Sequence, residues 1–389
     1  MTAATRQAGL PKSYYAPEFS VEVDGVELKR ADKFDVIEIV VTMDVKELTS
    51  VDLKLNNYDD RTFDLKWSDS DKFKIGAKVH VQLGYADELR PMLSGYVTTL
   101  TPTFPSDGPP TLGVRVVDPL VKLKGSKPPP DQVQYKDMTD SQIAEKIARR
   151  HNLRSKVHDS KTKYKVMDQE NKDDAQFLKI RAAAINFDVF MLTDPKKKDD
   201  VLHFVRPADG VGPDPIRTYV LAWGTLRNTD VAPSLIDFRP TIAAANQVKS
   251  VTVRGWDADK KKPIEVKATP ENTADVMGQK GQRGADAATQ LSGEVGKDEV
   301  IVGKDEVVVE RFVSTEEEAF QLAKAELARR SYGYKTAKGK LIGLPDLRLN
   351  DNVEINGVGK RFGGLYHVTK VVHTLNDRGY VTEFEARGA

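Results

Sequence analysis

Few residues in this chain combine the type and the spacing that chemistry needs. His367 and His373 lie six apart in one alternating segment, which predicts the same face of a strand. They are far apart along it, and no carboxylate keeps metal-ligand spacing with them, so a surface or core role accounts for both. Gly278, Gly281 and Gly284 recur every three residues, which is neither a dinucleotide fingerprint nor a phosphate loop. Gly296-Lys297 is followed by Asp298 and lacks the upstream glycine of a Walker motif. Gly357-Val358-Gly359 follows a strand, but the next residues read as another strand, so no helix N-terminus is offered to a pyrophosphate. There is no Gly-x-Ser-x-Gly elbow and no His-Glu-x-x-His. Cysteine is absent, which excludes disulfides, thiolate metal sites and cysteine nucleophiles together.

Acidic residues come in pairs, at Asp59-Asp60, Asp173-Asp174 and Asp199-Asp200. Each pair sits beside a turn or a helix start, where capping and solvation explain it without catalysis. The basic runs Lys196-Lys197-Lys198 and Lys260-Lys261-Lys262 read as solvated hairpin tips, the first running directly into Asp199-Asp200. No residue is therefore assigned to catalysis, to a cofactor or to a metal, and the chain is not expected to be an enzyme. The enzymatic alternative is a cell-wall glycoside hydrolase whose two carboxylates come from distant strands.

The elements are mostly strands. From Phe19 to Leu120, Val21 and Val23 alternate with polar residues, Asp24-Gly25 marks a tight hairpin, and Val51, Leu53, Leu55 and Val79, Val81, Leu83 repeat the period of two. This predicts a small antiparallel barrel or sandwich over 14–121, with Gly84 and Gly95 at strand ends. Lys122 to Tyr135, with Pro128-Pro129-Pro130, reads as a stiff linker. An α+β unit is expected over 136–200. Thr139-Asp140-Ser141-Gln142 is a capping box with Ile143 and Ile147 behind it, and a second helix starts near Asp173 or Asp174, with Leu178, Arg181, Ala182 and Ile185 on one face.

A second β-barrel is expected over 201–267 and 297–389, including a helix at 315–331 capped by Thr315 and Glu318 with Phe320, Ala323 and Leu327 buried. Between its parts, 268–296 is rich in Gly, Ala, Gln and Asp and reads as a flexible insertion. The tandem repeat Gly296–Val302 and Gly303–Val309 suggests a hairpin. Ile75–Val81 is similar to Leu349–Ile355, and Gly95–Leu100 to Leu365–Val371, as an internal duplication would leave them. The fold class expected is α+β, mainly β: two similar antiparallel β-barrel domains flanking a smaller α+β domain.

With 389 residues there is room for two or three domains. Lys plus Arg total 59 against 58 for Asp plus Glu, a formal charge of +1, so neither specific nucleic acid nor an anionic membrane is expected as partner. No apolar run reaches the roughly 20 residues that span a bilayer, and the N-terminus has no secretory h-region.

Several segments resemble one family. Tyr15-Ala16-Pro17-Glu18-Phe19 through Asp24-Gly25, Phe73-Lys74-Ile75-Gly76 through Leu83-Gly84-Tyr85 and Leu93-Ser94-Gly95 are similar to the opening of the phage late control protein D, or tail hub, family. Gln169-Glu170-Asn171-Lys172-Asp173-Asp174-Ala175-Gln176-Phe177-Leu178-Lys179-Ile180-Arg181-Ala182 resembles its Q-x-N-x-S-D-x-x-F-L-x-x-L-A segment, with Asp173 where the family has Ser and Ile180-Arg181 shifting the Leu-Ala ending. Val253–Asp257, the helix after Thr315 and Gly364–Val368 with His373 extend the likeness over nearly the whole chain.

The resemblance also reaches the N-terminal part of VgrG-type spikes. It implies a structural baseplate hub of a contractile tail or contractile injection system. Such a hub is a homotrimer that joins a six-fold tail tube protein to a three-fold spike and touches other baseplate proteins. It would be made in the cytoplasm and built into a phage-tail-like particle. VgrG-type chains continue into an OB barrel and a β-helix, for which there is no room after the last strand here, so the spike is expected as a separate polypeptide. The rival reading is a carbohydrate- or receptor-binding tail protein.

Overall fold

Alternating apolar residues become strands with one buried face. The computed structural model describes residues 6–8, 16–86, 88–194, 200–207, 217–224, 234–243, 247–257, 260–273, 306–310 and 313–388. The N-terminal stretch forms β1 (Pro17–Val23), β2 (Val36–Asp44), β3 (Ser50–Asn56), β4 (Lys78–Tyr85), β5 (Glu88–Thr103) and β6 (Thr111–Val117). Val21, Ile39, Val41, Leu53, Val81 and Val114 lie on the buried face, at the positions the period of two assigns. The turn after β1 uses Asp24 and Gly25, both with positive φ, which suits the twist of a two-residue hairpin.

Gly95 stands in the middle of β5, not at a strand end. Here the long strand passes from β4 to β6, and a Cβ would come 2.2 Å from the Val117 carbonyl oxygen. Only glycine admits that approach.

The next unit contains β7 (Gln134–Thr139), α1 (Asp140–Arg150), β8 (Arg154–Val157), β9 (Lys163–Asp168), α2 (Asp174–Ala184), β10 (Asp188–Thr193) and β11 (Asp200–Val205). Both helices begin with complete capping boxes, Thr139 with Gln142 and Asp173 with Gln176. Each satisfies two otherwise unpaired helix-end donors, for about 1 kcal/mol. Ile143, Ile147, Phe177 and Leu178 pack under them, and the Tyr135 and Phe177 rings stack 5.7 Å apart. Two sequence expectations shift here. The linker is tied down, because Leu123 is fully buried in this core. Residues 201–205 belong to β11, which pairs with β8 and β10, not with a second barrel.

The rest of the chain forms β12 (Arg217–Ala222), β13 (Leu235–Ile242), β14 (Ser250–Asp257), β15 (Lys262–Ala268), β16 (Glu306–Glu310), α3 (Glu316–Ser331), β17 (Lys335–Ile342), β18 (Asn352–Asn356), β19 (Gly364–Asn376) and β20 (Gly379–Gly388). Strands β14, β15 and β16 stand apart from the expected barrel. They form their own three-stranded sheet, with Val251, Val253 and Ile264 packed against Ala319, Ala323 and Leu327 of α3. Phe320, expected in that stripe, is only partly buried and lies under the Lys324 ammonium. Glu318 turns its carboxylate to the Ser314 N–H rather than to Thr315, so only the Thr315 half of that box forms. Residues 306–309 of the second half of the tandem repeat lie in β16, parallel to β14, while its remaining residues, like residues 274–296 of the expected insertion, lie outside the described residues.

The remaining strands repeat the first six. The N-terminal order is β1-β4-β5-β6-β3-β2, and the C-terminal order is β12-β18-β19-β20-β17-β13. Numbered within each half, both read first, fourth, fifth, sixth, third, second. One pairing differs in sense: β1 is antiparallel to β4, whereas β12 is parallel to β18. Neither set closes on itself among the described residues. Instead β2 pairs with β19, from Asp44 opposite Lys370 to Glu38 opposite Asn376. These twelve strands, with Val26–Glu27 and Arg6–Ala8 at the two margins, make one fourteen-stranded sheet over a shared core.

Candidate functional site

The two histidines singled out above are both core residues. His373 is fully buried, with Nδ1 near the Thr382 and Tyr380 hydroxyls and Nε2 3.2 Å from the Leu347 carbonyl oxygen. Burial and the nearby Arg348 hold its pKa down to about 3, so it is neutral at any ordinary pH. His367 lies 3.2 Å from the Asn352 side chain. A bulge at Thr369 shifts the register between Val368 and Lys370, and buried positions change parity across it. The two rings therefore lie on opposite faces, not on the shared face that their spacing predicts.

The residues after Gly357 form a single helical turn, Gly359–Phe362, before β19. Gly278, Gly281, Gly284, Lys196–Lys198 and Asp199 lie outside the described residues, whereas Lys260–Lys262 are exposed at a hairpin tip. Among the described residues, no group of three or more His, Asp or Glu could hold a metal ion.

One carboxylate pair is more than a solvated helix start. Asp173 caps α2, but Asp174 is fully buried and meets Arg150 at 2.6 Å, His151 at 2.7 Å and the Gln169 amide at 2.7 Å. Asp140 is likewise buried, gripped by Arg181 at 2.6 Å and by the Tyr164 hydroxyl at 2.9 Å. These networks join α1 to α2. Apart from Gln169, five residues before Asp174, their partners lie 23 to 41 residues apart, so no local spacing announces them.

A first cavity, of about 440 Å³, lies between the α+β unit and the sheet. Arg90 there pairs with Asp346 at 2.7 Å and Arg217 with the buried Asp351 at 3.0 Å. Burial raises Asp351 to about pKa 6, against the pull of Arg217. The Arg348 guanidinium donates to the backbone carbonyls of Pro91 and Leu347.

A second and larger cleft, about 950 Å³, opens where all three units meet. The β2–β3 connection supplies Lys46, α2 and β10 supply Lys179 and Asp188, the end of α3 supplies Arg329 and Tyr332, and β20 supplies Arg387. Asn186 donates to the Tyr332 hydroxyl at 2.7 Å, tying the α+β unit to the α3 unit. The Arg387 guanidinium stacks 3.6 Å over the Tyr332 ring. Asp188 is 3.9 Å from Arg387, too far for a hydrogen bond, and burial raises its pKa. Ala182, Phe187 and Val189 form an apolar wall. Neither Asp188 nor Arg387 stands out in the sequence, since each is an ordinary charged residue at a strand end.

The fold has relatives among tail proteins. It is similar to a 43 kDa tail protein of prophage MuSo2 from Shewanella oneidensis, with 13% identity over 96% of this chain and 98% of that one and a TM-score of 0.64. A tail protein from Neisseria meningitidis is similar at 15% identity, over 96% of this chain and 97% of that one, with a TM-score of 0.63. An E. coli component of the type VI secretion system, itself described as structurally similar to T4 bacteriophage tail proteins gp27 and gp5, gives 14% identity over 96% of this chain and 77% of that one, with a TM-score of 0.55. At these identities the likeness is one of fold. No curated protein matches the chain by sequence. The family model described as the Alg8 N-terminal domain matches residues 15–377, nearly the full length, and the chain belongs to that family.

Proposed function

We propose that the chain is a non-enzymatic hub of a contractile tail or contractile injection baseplate, of the kind the late control protein D resemblance implies. The observation that carries this reading is the strand order, repeated identically in the two halves. A chain with two similar six-stranded units presents six of them when three copies assemble around an axis. Such a ring can meet a six-fold tube on one side while its three-fold symmetry serves a trimeric spike on the other. In this reading the two units are the barrel-like hub domains, 14–121 and the sheet strands of 217–242 and 335–388. The α+β unit and the α3 unit are insertions after the first set and inside the second. The likeness to tail proteins over almost the full chain supports the same assignment. So does the pairing of the buried ionisable groups with one another, in place of convergence on an open site. The protein would be made in the cytoplasm and built into the particle beside a separate spike, a tube protein and other baseplate proteins.

Light scattering on the chain mixed with its cognate spike tests the proposal. Three copies of the chain per trimeric spike are expected, whether or not the chain trimerises alone. A complex without three-fold stoichiometry would overturn it.

A further inference from the structure

The two strand sets correspond residue by residue at their irregularities. Each has a one-residue bulge in its fifth strand and another in its second. The fifth-strand bulge is a threonine whose hydroxyl donates to a sixth-strand carbonyl, Thr98 to Arg115 at 3.4 Å and Thr369 to Glu385 at 3.2 Å. The second-strand bulge is an exposed isoleucine, Ile37 or Ile236. Thr98 thus corresponds to Thr369, and Ile37 to Ile236. Within the chain, the second strand of the first set, β2, pairs with the fifth strand of the second, β19. The two edges left over are the second strand of the second set, β13, and the fifth strand of the first set, β5. Among the described residues β13 pairs only with β17, and beyond Val97 β5 pairs only with β6. We propose that these two edges pair with each other between copies of the chain, in the register that β2 and β19 use. β13 of one copy then runs antiparallel to β5 of the next, with Ile242 opposite Leu100, Pro240 opposite Pro102 and Phe238 opposite Phe104.

The faces match in that register. Leu100 and Pro102 lie opposite the buried Val114 and Leu112 of β6, on the core side of the sheet, and Phe238 stands edge-on to the buried Tyr366. Phe104 is 62% exposed in the single chain, an aromatic ring that the pairing would cover. The equivalent pairs within the chain, Met43 with Val371, Val41 with His373 and Ile39 with Leu375, are all buried. The other face brings Thr101 and Thr103 to Thr241 and Arg239, polar against polar, and a slip of one residue would set one face against the other. The Val45 N–H donates to the Thr369 carbonyl at 3.2 Å, so every second pair from there, Val41 with His373 included, exchanges backbone hydrogen bonds. Pro102 and Pro240 hold that place at the free edges, each turning its missing N–H outward, where an edge strand tolerates proline and resists indiscriminate pairing. The joint between copies therefore lacks hydrogen bonds that the joint within the chain has, and is the weaker of the two. Each copy presents two different edges, the head-to-tail arrangement that closes into a ring. The pairing does not rest on the hub reading, which sets only the number of copies.

The absence of cysteine makes the register readable by disulfide formation. Thr101 and Thr241 are exposed and would meet at a non-hydrogen-bonded pair, with Cα atoms about 4.5 Å apart and within reach of a disulfide. Full-length Thr101→Cys and Thr241→Cys chains are mixed, with and without the cognate spike, oxidised mildly and separated under denaturing, non-reducing conditions. A covalent dimer is expected from the mixture, about tenfold above either chain alone. Thr101→Cys mixed with Arg239→Cys, two residues out of register, should stay near that background. No mixed dimer in either condition, or an equal yield from the out-of-register mixture, would overturn the proposal. Light scattering on the same samples separates it from the hub reading. Three-fold complexes without the mixed dimer would remove this pairing alone, and the mixed dimer without three-fold stoichiometry would support the pairing while removing the hub.

Discussion

Asp118 shows what one buried carboxylate joins. It is the last residue before the turn Pro119–Lys122, and its two oxygens accept the Leu120 N–H at 2.9 Å and the Thr49 N–H at 2.7 Å. The first strand set is thereby fastened to the segment that leads into the α+β unit. Complete burial raises its pKa to about 7, although both N–H donors favour the ionised form. The fold thus holds the proton more tightly than the unfolded chain does. Stability from this group is fully present below about pH 4 and is lost as pH rises through 7. Urea denaturation across pH 4 to 8 is expected to show that decline, at most about 1.4 kcal/mol per pH unit. Asp118→Asn should flatten the slope while costing about 1–3 kcal/mol at low pH, because one amide N–H would then face the Thr49 donor. An unchanged slope in that variant would assign the pH dependence to another group.

Among the elements, the β17–β20 pair is specified by a glycine under an aromatic ring. Gly339 stands directly opposite Phe384, and a Cβ there would lie 2.3 Å from the ring. Phe384 is 2% exposed, so it cannot swing outward without opening the core. Gly339→Ala is therefore expected to cost about 1–3 kcal/mol in a denaturation midpoint. Gly113 in β6 provides the comparison, since a Cβ there meets nothing closer than 3.4 Å. Gly113→Ala should stay within about 0.5 kcal/mol of the parent chain. Equal costs at the two positions would mean that strand propensity, not the ring, decides the effect.

For the whole molecule, the twice-used strand order bears on both symmetry and chemistry. The ionisable groups buried in the sheet and in the α+β unit are largely joined to each other, as Asp174 is to Arg150 and Asp351 to Arg217. A hydrolase would instead need a carboxylate pair opposed across an open cleft. Zymograms on peptidoglycan and common polysaccharides are accordingly expected to stay blank. Reproducible clearing abolished by a single Asp or Glu substitution would restore the glycosidase alternative.

Local rules determined much by themselves. Period-two alternation placed Val21, Leu53 and Val81 on a buried face, and the Thr139–Gln142 capping box marked the start of α1 to the residue, whereas the start of α2 was placed only near Asp173 or Asp174. The echo of Ile75–Val81 in Leu349–Ile355 falls at the fourth strand of each set, the same place in the repeated strand order. Tertiary structure decided what depends on distant partners. A one-residue bulge at Thr369 put His367 and His373 on opposite faces, and it was the passage of β5 from β4 to β6 that required Gly95. Strand pairing assigned 201–205 to the α+β unit and 250–268 to the α3 unit, a choice among sheets that an alternating pattern leaves open. The ion pairs of Asp174 and the Arg387 cleft form only when segments far apart in the chain are packed together. Neither the Coulomb interaction nor the desolvation that makes them matter has any signature in sequence spacing.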